Sequence, residues 1–244
     1  RWAKEMSDKV QGYCLTTWES AMLSNYETIL PIVEAIGKYW KGGELAFEES
    51  YDYWAKKMDE DLQKIAPVFE LTFHRSKLRS HLLLYSNPFQ AWYHLGEALN
   101  DAVCEKVYAL MDQASQVAPN PACRRVSESV RKMVEAVQHM NKSYKAYRNR
   151  KPGEAASALA PIRQIFEDLE RIANATHLTI GGSIVDIERC KVAKKMVETV
   201  MLRIKHYGDG SLGYLPSYES IIQPQFIPHD QANWWLQNDW GLKW

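Results

Sequence analysis

Val126, Val130, Met133, Val137, Met140, Tyr144 and Tyr147 follow one another at alternating intervals of four and three residues. At about 3.6 residues per turn, that spacing lines all seven along one stripe of an α-helix. A stripe of that length is stable in water only when other helices cover it. Both ends carry stop signals. Asn120-Pro121 supplies an N-cap and a first-turn proline, and Lys151-Pro152-Gly153 closes the segment. Whatever the chain folds into must be built around this helix.

Other segments repeat the pattern. Asn87-Pro88 opens a second helix, with Gln90 placed for a capping-box exchange and Leu99, Val103, Val107, Leu110, Ala114 and Val117 in its interior. A third stripe, Phe47, Tyr51, Trp54, Met58, Leu62 and Ile65, is entered through Gly42-Gly43 and stopped near Pro67. Leu159, Ile162, Phe166, Leu169 and Ile172 form a fourth. Ala193, Val197, Val200 and Ile204 form a fifth, set apart from the fourth by Gly181-Gly182. The stretch from Trp2 to Leu30 reads as helix and breaks at Pro31. No segment sustains strand alternation, and no internal repeat is visible. The expected fold is all-α: an antiparallel bundle of five to seven helices with coiled-coil-like packing and an irregular C-terminal tail.

The chain divides accordingly into a helical bundle over 1–207 and a Pro/Trp-rich tail over 208–244. That tail holds Pro216, Pro224 and Pro228, too many for one continuous helix, and four of the nine tryptophans: Trp234, Trp235, Trp240 and Trp244. Such a segment either wraps its own bundle or anchors on another subunit, because tryptophan is a favoured hot-spot residue. The four tryptophans are therefore candidate partner-binding residues.

At 244 residues, 46% apolar and 25% charged, the chain has ordinary globular composition and enough length for one sizeable core. No run approaches the roughly 20 apolar residues that cross a bilayer as a helix, so contact with a membrane is expected to be peripheral if it occurs. Arg1 rather than Met opens the sequence, as in a processed chain or a piece of a longer one. Cys14, Cys104, Cys123 and Cys190 are scattered and never in C-x-x-C, which reads as buried free thiols. This slightly favours a reducing compartment, an organellar complex among them. The acceptor triplets at Asn141 and Asn174 keep a secreted, disulfide-bonded chain as the alternative.

Thirty basic and thirty acidic side chains cancel, which argues against nucleic acid as a partner. Locally they do not cancel. Residues 121–151 carry nine Lys or Arg against Glu128 and Glu135, whereas 44–70 carry eight acids against Lys56, Lys57 and Lys64. The tail sets four acids against Lys243. These faces either neutralise one another within the bundle or present a basic surface to phosphates, anionic headgroups or an acidic partner. Arg124, Arg125, Arg131, Lys132, Lys145 and Arg148 are the candidates for that surface.

Chemistry leaves few marks. A di-metal bundle site needs paired Glu-x-x-His units, and none of the seven histidines has Glu three residues before it. H-E-x-x-H and paired zinc cysteines are missing too, so no metal or other cofactor is expected. His74 and His81, and the pair Glu135 and His139, are better read as surface or capping groups. Gly208-Asp-Gly210-Ser-Leu-Gly213 spells G-x-G-x-x-G, but a helix precedes it where a dinucleotide site needs a strand. Trp92, Tyr93 and His94 are candidates for lining an apolar pocket.

The expectation is a non-catalytic helical accessory or scaffold subunit, contacting other protein subunits through its aromatic tail and charged helix faces. A small-molecule or lipid binder, or an enzyme, with an aromatic-lined pocket is the first alternative. A peripheral membrane or phosphate-binding module using 121–151 is the second.

Overall fold

In the computed structural model the described residues are 33–39, 49–50, 52–53, 56, 88–96, 99–117, 121–175 and 180–222. Six helices can be labelled: α1 (Pro88–Leu95), α2 (Asp101–Val117), α3 (Pro121–Arg148), α4 (Pro152–Ala175), α5 (Ile180–Tyr207) and α6 (Tyr218–Ile222). Residues 33–39 are helical as well. Among the described residues there is no strand, so the all-α reading holds. The stripe over Phe47–Ile65 and the N-terminal helix lie outside the described residues, apart from helical positions at 49–50, 52–53 and 56.

Helix α3 is the axis of the bundle, touching α1, α2, α4 and α6. Its heptad residues Val130, Met133, Val137, Met140 and Tyr147 are buried, and Tyr144 is half-buried. Cross-helix pairs fix the directions of its neighbours. Arg131 meets Asp112 and Tyr108 meets Gln138, so α2 runs antiparallel to α3. Lys132 meets Asp168 and His139 meets the Ala158 backbone, so α4 is antiparallel as well. Farther out, Lys194 meets Glu170 and Arg163 meets Glu198, which sets α5 antiparallel to α4. The stripe Leu159, Ile162, Phe166, Leu169 and Ile172 fills the space between α3 and α5.

The α3–α4 turn shows how the local sequence sets the hairpin. Lys151 donates its backbone N–H to Ala146 O at 3.1 Å, and Arg150 donates to Tyr147 O at 2.9 Å. These are the two bonds of a Schellman C-cap, with Arg150 at φ 57° in the left-handed position that glycine usually occupies. Lys151 O then accepts from Ala155 N, and Pro152 starts α4 where a missing N–H costs nothing. The end of α5 closes on the same turn at Gly208. A Cβ there would lie 2.9 Å from Pro152 Cβ and 3.1 Å from the Tyr147 ring. Only glycine lets the end of α5 come this close to the α3–α4 turn.

Two expectations need correction. The segment opened by Asn87-Pro88 is two helices, not one. Gly96 N–H closes α1 on Trp92 O, and Asn100 caps α2, its Oδ1 accepting from Val103 N at 3.1 Å. Asn141 of α3 stabilises the break from outside, donating to Gly96 O at 3.0 Å and Leu99 O at 3.2 Å. Gly181-Gly182 does not separate the fourth and fifth helices but lies in the first turn of α5. There the N–H groups lack intrahelical partners anyway.

Candidate functional site

The tail begins by folding back onto the bundle. Tyr218, Ile221 and Ile222 are buried, while Trp92, Tyr144, Tyr147 and Tyr218 form an aromatic cluster with ring centroids 5.0–5.5 Å apart. Their polar ends are tied down as well. Tyr218 OH donates to Ser143 Oγ, and Tyr147 OH donates to Pro216 O, each at 2.8 Å. Burial pushes both phenols above the ordinary tyrosine range. Trp234, Trp235, Trp240 and Trp244 lie outside the described residues.

Beside this cluster is a depression of about 400 Å³ bounded by Trp92, Tyr93, Gly96, Asn141, Tyr144 and Lys145. Trp92 and Tyr93 thus reach the same place from neighbouring positions, Trp92 buried and Tyr93 about half exposed. The His94 side chain lies outside the described residues. The polar groups at the back wall are already engaged. Asn141 Oδ1 accepts from Trp92 Nε1 at 2.9 Å while its amide nitrogen caps the α1–α2 break, and Tyr144 OH accepts from Arg148 Nη1. Lys145 remains at the rim.

The basic residues of 121–151 separate into two groups. Arg131 and Lys132 each pair with another helix: Arg131, itself exposed, meets Asp112 and lies over the Tyr108 ring, and the half-buried Lys132 holds Asp168 at 2.6 Å. The Lys132 hydrogen bond holds the Asp168 carboxyl below the usual carboxylate range. Arg125 is half-buried, with its Nε lacking an acceptor among the described residues. Arg124, Lys145 and Arg148 are exposed, Arg148 lying over the Tyr144 ring. Arg124, Arg131, Lys145 and Arg148 thus stay exposed, while Lys132 is taken up in its pair with Asp168.

Burial pushes the Cys104 thiol up to about 11 and the Cys190 thiol up to about 12, too high for a thiolate nucleophile near neutral pH. His139 is half-buried between α3 and α4. Burial depresses its pKa although it is hydrogen-bonded to the Ala158 backbone. Among the described residues no three His, Cys, Asp or Glu side chains converge as a metal site would. None of their helices is long and apolar enough to cross a membrane.

One surface was not anticipated. A groove of about 610 Å³ runs between the outer sides of α4 and α5. Helix α4 contributes Ala160, Arg163, Gln164 and Glu167, and α5 contributes Glu198, Met201, Leu202 and Lys205. Each set has the i, i+3, i+4, i+7 spacing of one helix face. Leu202 is 67% exposed, the most exposed large apolar side chain among the described residues. The signal in the sequence was the run Val200-Met201-Leu202. Three consecutive apolar residues on a helix cannot all face one core, and here Val200 is buried while Leu202 points outward. Comparison with protein-family models, with curated proteins and with solved structures finds no match for this chain, which leaves the geometry of its own surfaces to bear on function.

Proposed function

We propose that this chain is a non-catalytic helical scaffold subunit that docks other protein subunits on the charged outer faces of its helices. The observation that carries this reading is the α4–α5 groove, an apolar strip of Ala160, Met201 and Leu202 bordered by Arg163, Glu167, Glu198 and Lys205. Two helix faces side by side with this pattern form the seat an additional helix takes in a bundle or a helix-in-groove complex. The buried thiols of Cys104 and Cys190 and the engaged polar groups around Asn141 support a structural rather than a chemical role.

The test is the native mass of the full chain in extracts of cells that make it. An assembly larger than the same chain denatured, reduced in size by Leu202→Glu, supports the reading. A native mass of one chain, unaltered by that substitution, overturns it.

A second reading is favoured by the depression beside Trp92 and Tyr93, whose volume falls in the range of small-ligand sites. Under that reading an aromatic ligand raises the melting temperature, and Tyr93→Ala abolishes the rise without lowering the melting temperature of the free chain. Absence of any such shift across a ligand screen counts against it.

A further inference from the structure

The face that α5 turns into the groove reads Glu198, Met201, Leu202, Lys205: acid, two apolar residues, base. Read in the opposite direction, the order becomes base, two apolar residues, acid. A two-fold axis perpendicular to the helix, passing between Met201 and Leu202, therefore superposes the strip on its own complement. The numbers close, since Glu198 stands as far before that midpoint as Lys205 stands beyond it, each roughly 5 Å away at about 1.5 Å per residue. Helical periodicity also points Glu198 and Lys205 within about 20° of the same direction, with Met201 and Leu202 straddling it. Charge and apolar surface are thus arranged for the same patch to meet itself, as in an isologous dimer.

From this we infer that the occupant of the α4–α5 groove is the groove-lining helix of a second copy of this chain, packed antiparallel about a two-fold axis at Met201 and Leu202. The inference rests on the scaffold reading above and names the partner at the same site. The two leucines meet at the centre, where Leu202 loses its 67% exposure. Lys205 of the second copy enters the end of the groove where Glu198 and Glu167 both stand. Glu198 is already held by Arg163 Nη2 at 3.2 Å and approached by Lys195 at 3.6 Å, so it is positioned before the second copy arrives. Preorganisation of this kind lowers the ordering cost of association.

The experiment uses the purified full chain. In a parent chain with Cys14 and Cys123 replaced by Ser, and with Cys104 and Cys190 buried, Leu202→Cys treated with a short bismaleimide is expected to give a covalent dimer that the parent does not. Val192→Cys is 52% exposed in the wild-type side chain's place, but its two copies would stand roughly 28 Å apart along the helices, so it should not cross-link. Sedimentation supplies the second arm. Glu198→Lys and Lys205→Glu should each weaken self-association by about tenfold or more, and the double exchange should restore it, because each new lysine then faces a new glutamate. A Leu202→Cys chain that does not cross-link, or a double exchange no better than the single changes, overturns the inference. If that happens while Leu202→Glu still shrinks the native assembly, the scaffold reading stands and the occupant is a different protein. If the native mass is that of one chain, both fall.

Discussion

Helices α3 and α5 are both 28 residues long, and they meet their surroundings in opposite ways. Helix α3 is held from several sides, by α1, α2, α4 and α6, and its buried apolar residues cover a broad face, with Val134 and Ala136 beside the heptad stripe. Its polar residues are tied in too: Asn141 to the α1–α2 break, Ser143 to Tyr218, Lys132 to Asp168. Helix α5 packs chiefly on α4 through Cys190, Ala193, Val197, Val200 and Ile204, and leaves Val192 and Leu202 facing outward. The lesson is one of division of labour. A helix packed over a broad face supplies stability, and a helix packed on one side is left with apolar side chains in solvent.

The sharpest way to break this contrast is to truncate one buried and one exposed residue. Met140→Ala in α3 should cost about 2–5 kcal/mol in urea denaturation, whereas Leu202→Ala in α5 should stay within about 0.5 kcal/mol for the isolated fold. Equal costs would mean that α5 is as deeply integrated as α3. Next in size is Asn141→Ala, which strands Trp92 Nε1 and the carbonyl of Gly96 and leaves Leu99 O with only the Cys104 thiol. A loss of about 2–4 kcal/mol is expected, read as a fall in melting temperature.

A smaller effect concerns the α3–α4 interface. Burial, aided by Lys142 and opposed by Glu135 and the Ala158 hydrogen bond, holds His139 below its ordinary value of 6.5. With the folded-state pKa depressed, the unfolded chain takes up the proton first. Its stability contribution is therefore complete above about pH 6.5 and declines as pH falls through the folded-state value. Urea midpoints at about pH 7.5 and about pH 5 should differ less in His139→Gln than in the wild type. The smallest change runs in the stabilising direction. Arg150→Gly relieves the left-handed backbone at the Schellman turn and should gain about 0.5–1 kcal/mol, visible as a raised denaturation midpoint.

How far the sequence reaches follows the same division. The α3 helix was legible because its stripe and both of its caps are local signals. The break between α1 and α2 was not, because part of what stabilises it is Asn141, more than forty residues away in the chain. Reading 99–117 as one stripe also placed Leu110 inside, whereas it is 40% exposed and Met111 takes the core position. Gly181-Gly182 looked like punctuation because glycine disfavours helix interiors, yet a first turn tolerates it. Among the candidate site residues, Trp92 and Tyr93 do share one depression, while neighbours on a helix point about 100° apart, which is why only one is buried. Arg131 and Lys132 resemble a free basic face until Asp112 and Asp168 arrive from other helices. The groove escaped notice because it needs two helices side by side, although Val200-Met201-Leu202 carried half of its signature.

The central claim is that the outer face of α5 is covered in the working protein and the outer face of α3 is not. Maleimide labelling of Leu202→Cys and of Lys142→Cys, which sits at an exposed position of α3, measures this directly in native extract against the denatured chain. Strong protection at position 202, with position 142 labelled at close to the denatured rate, is the result expected. Equal, rapid labelling at both positions would contradict the claim.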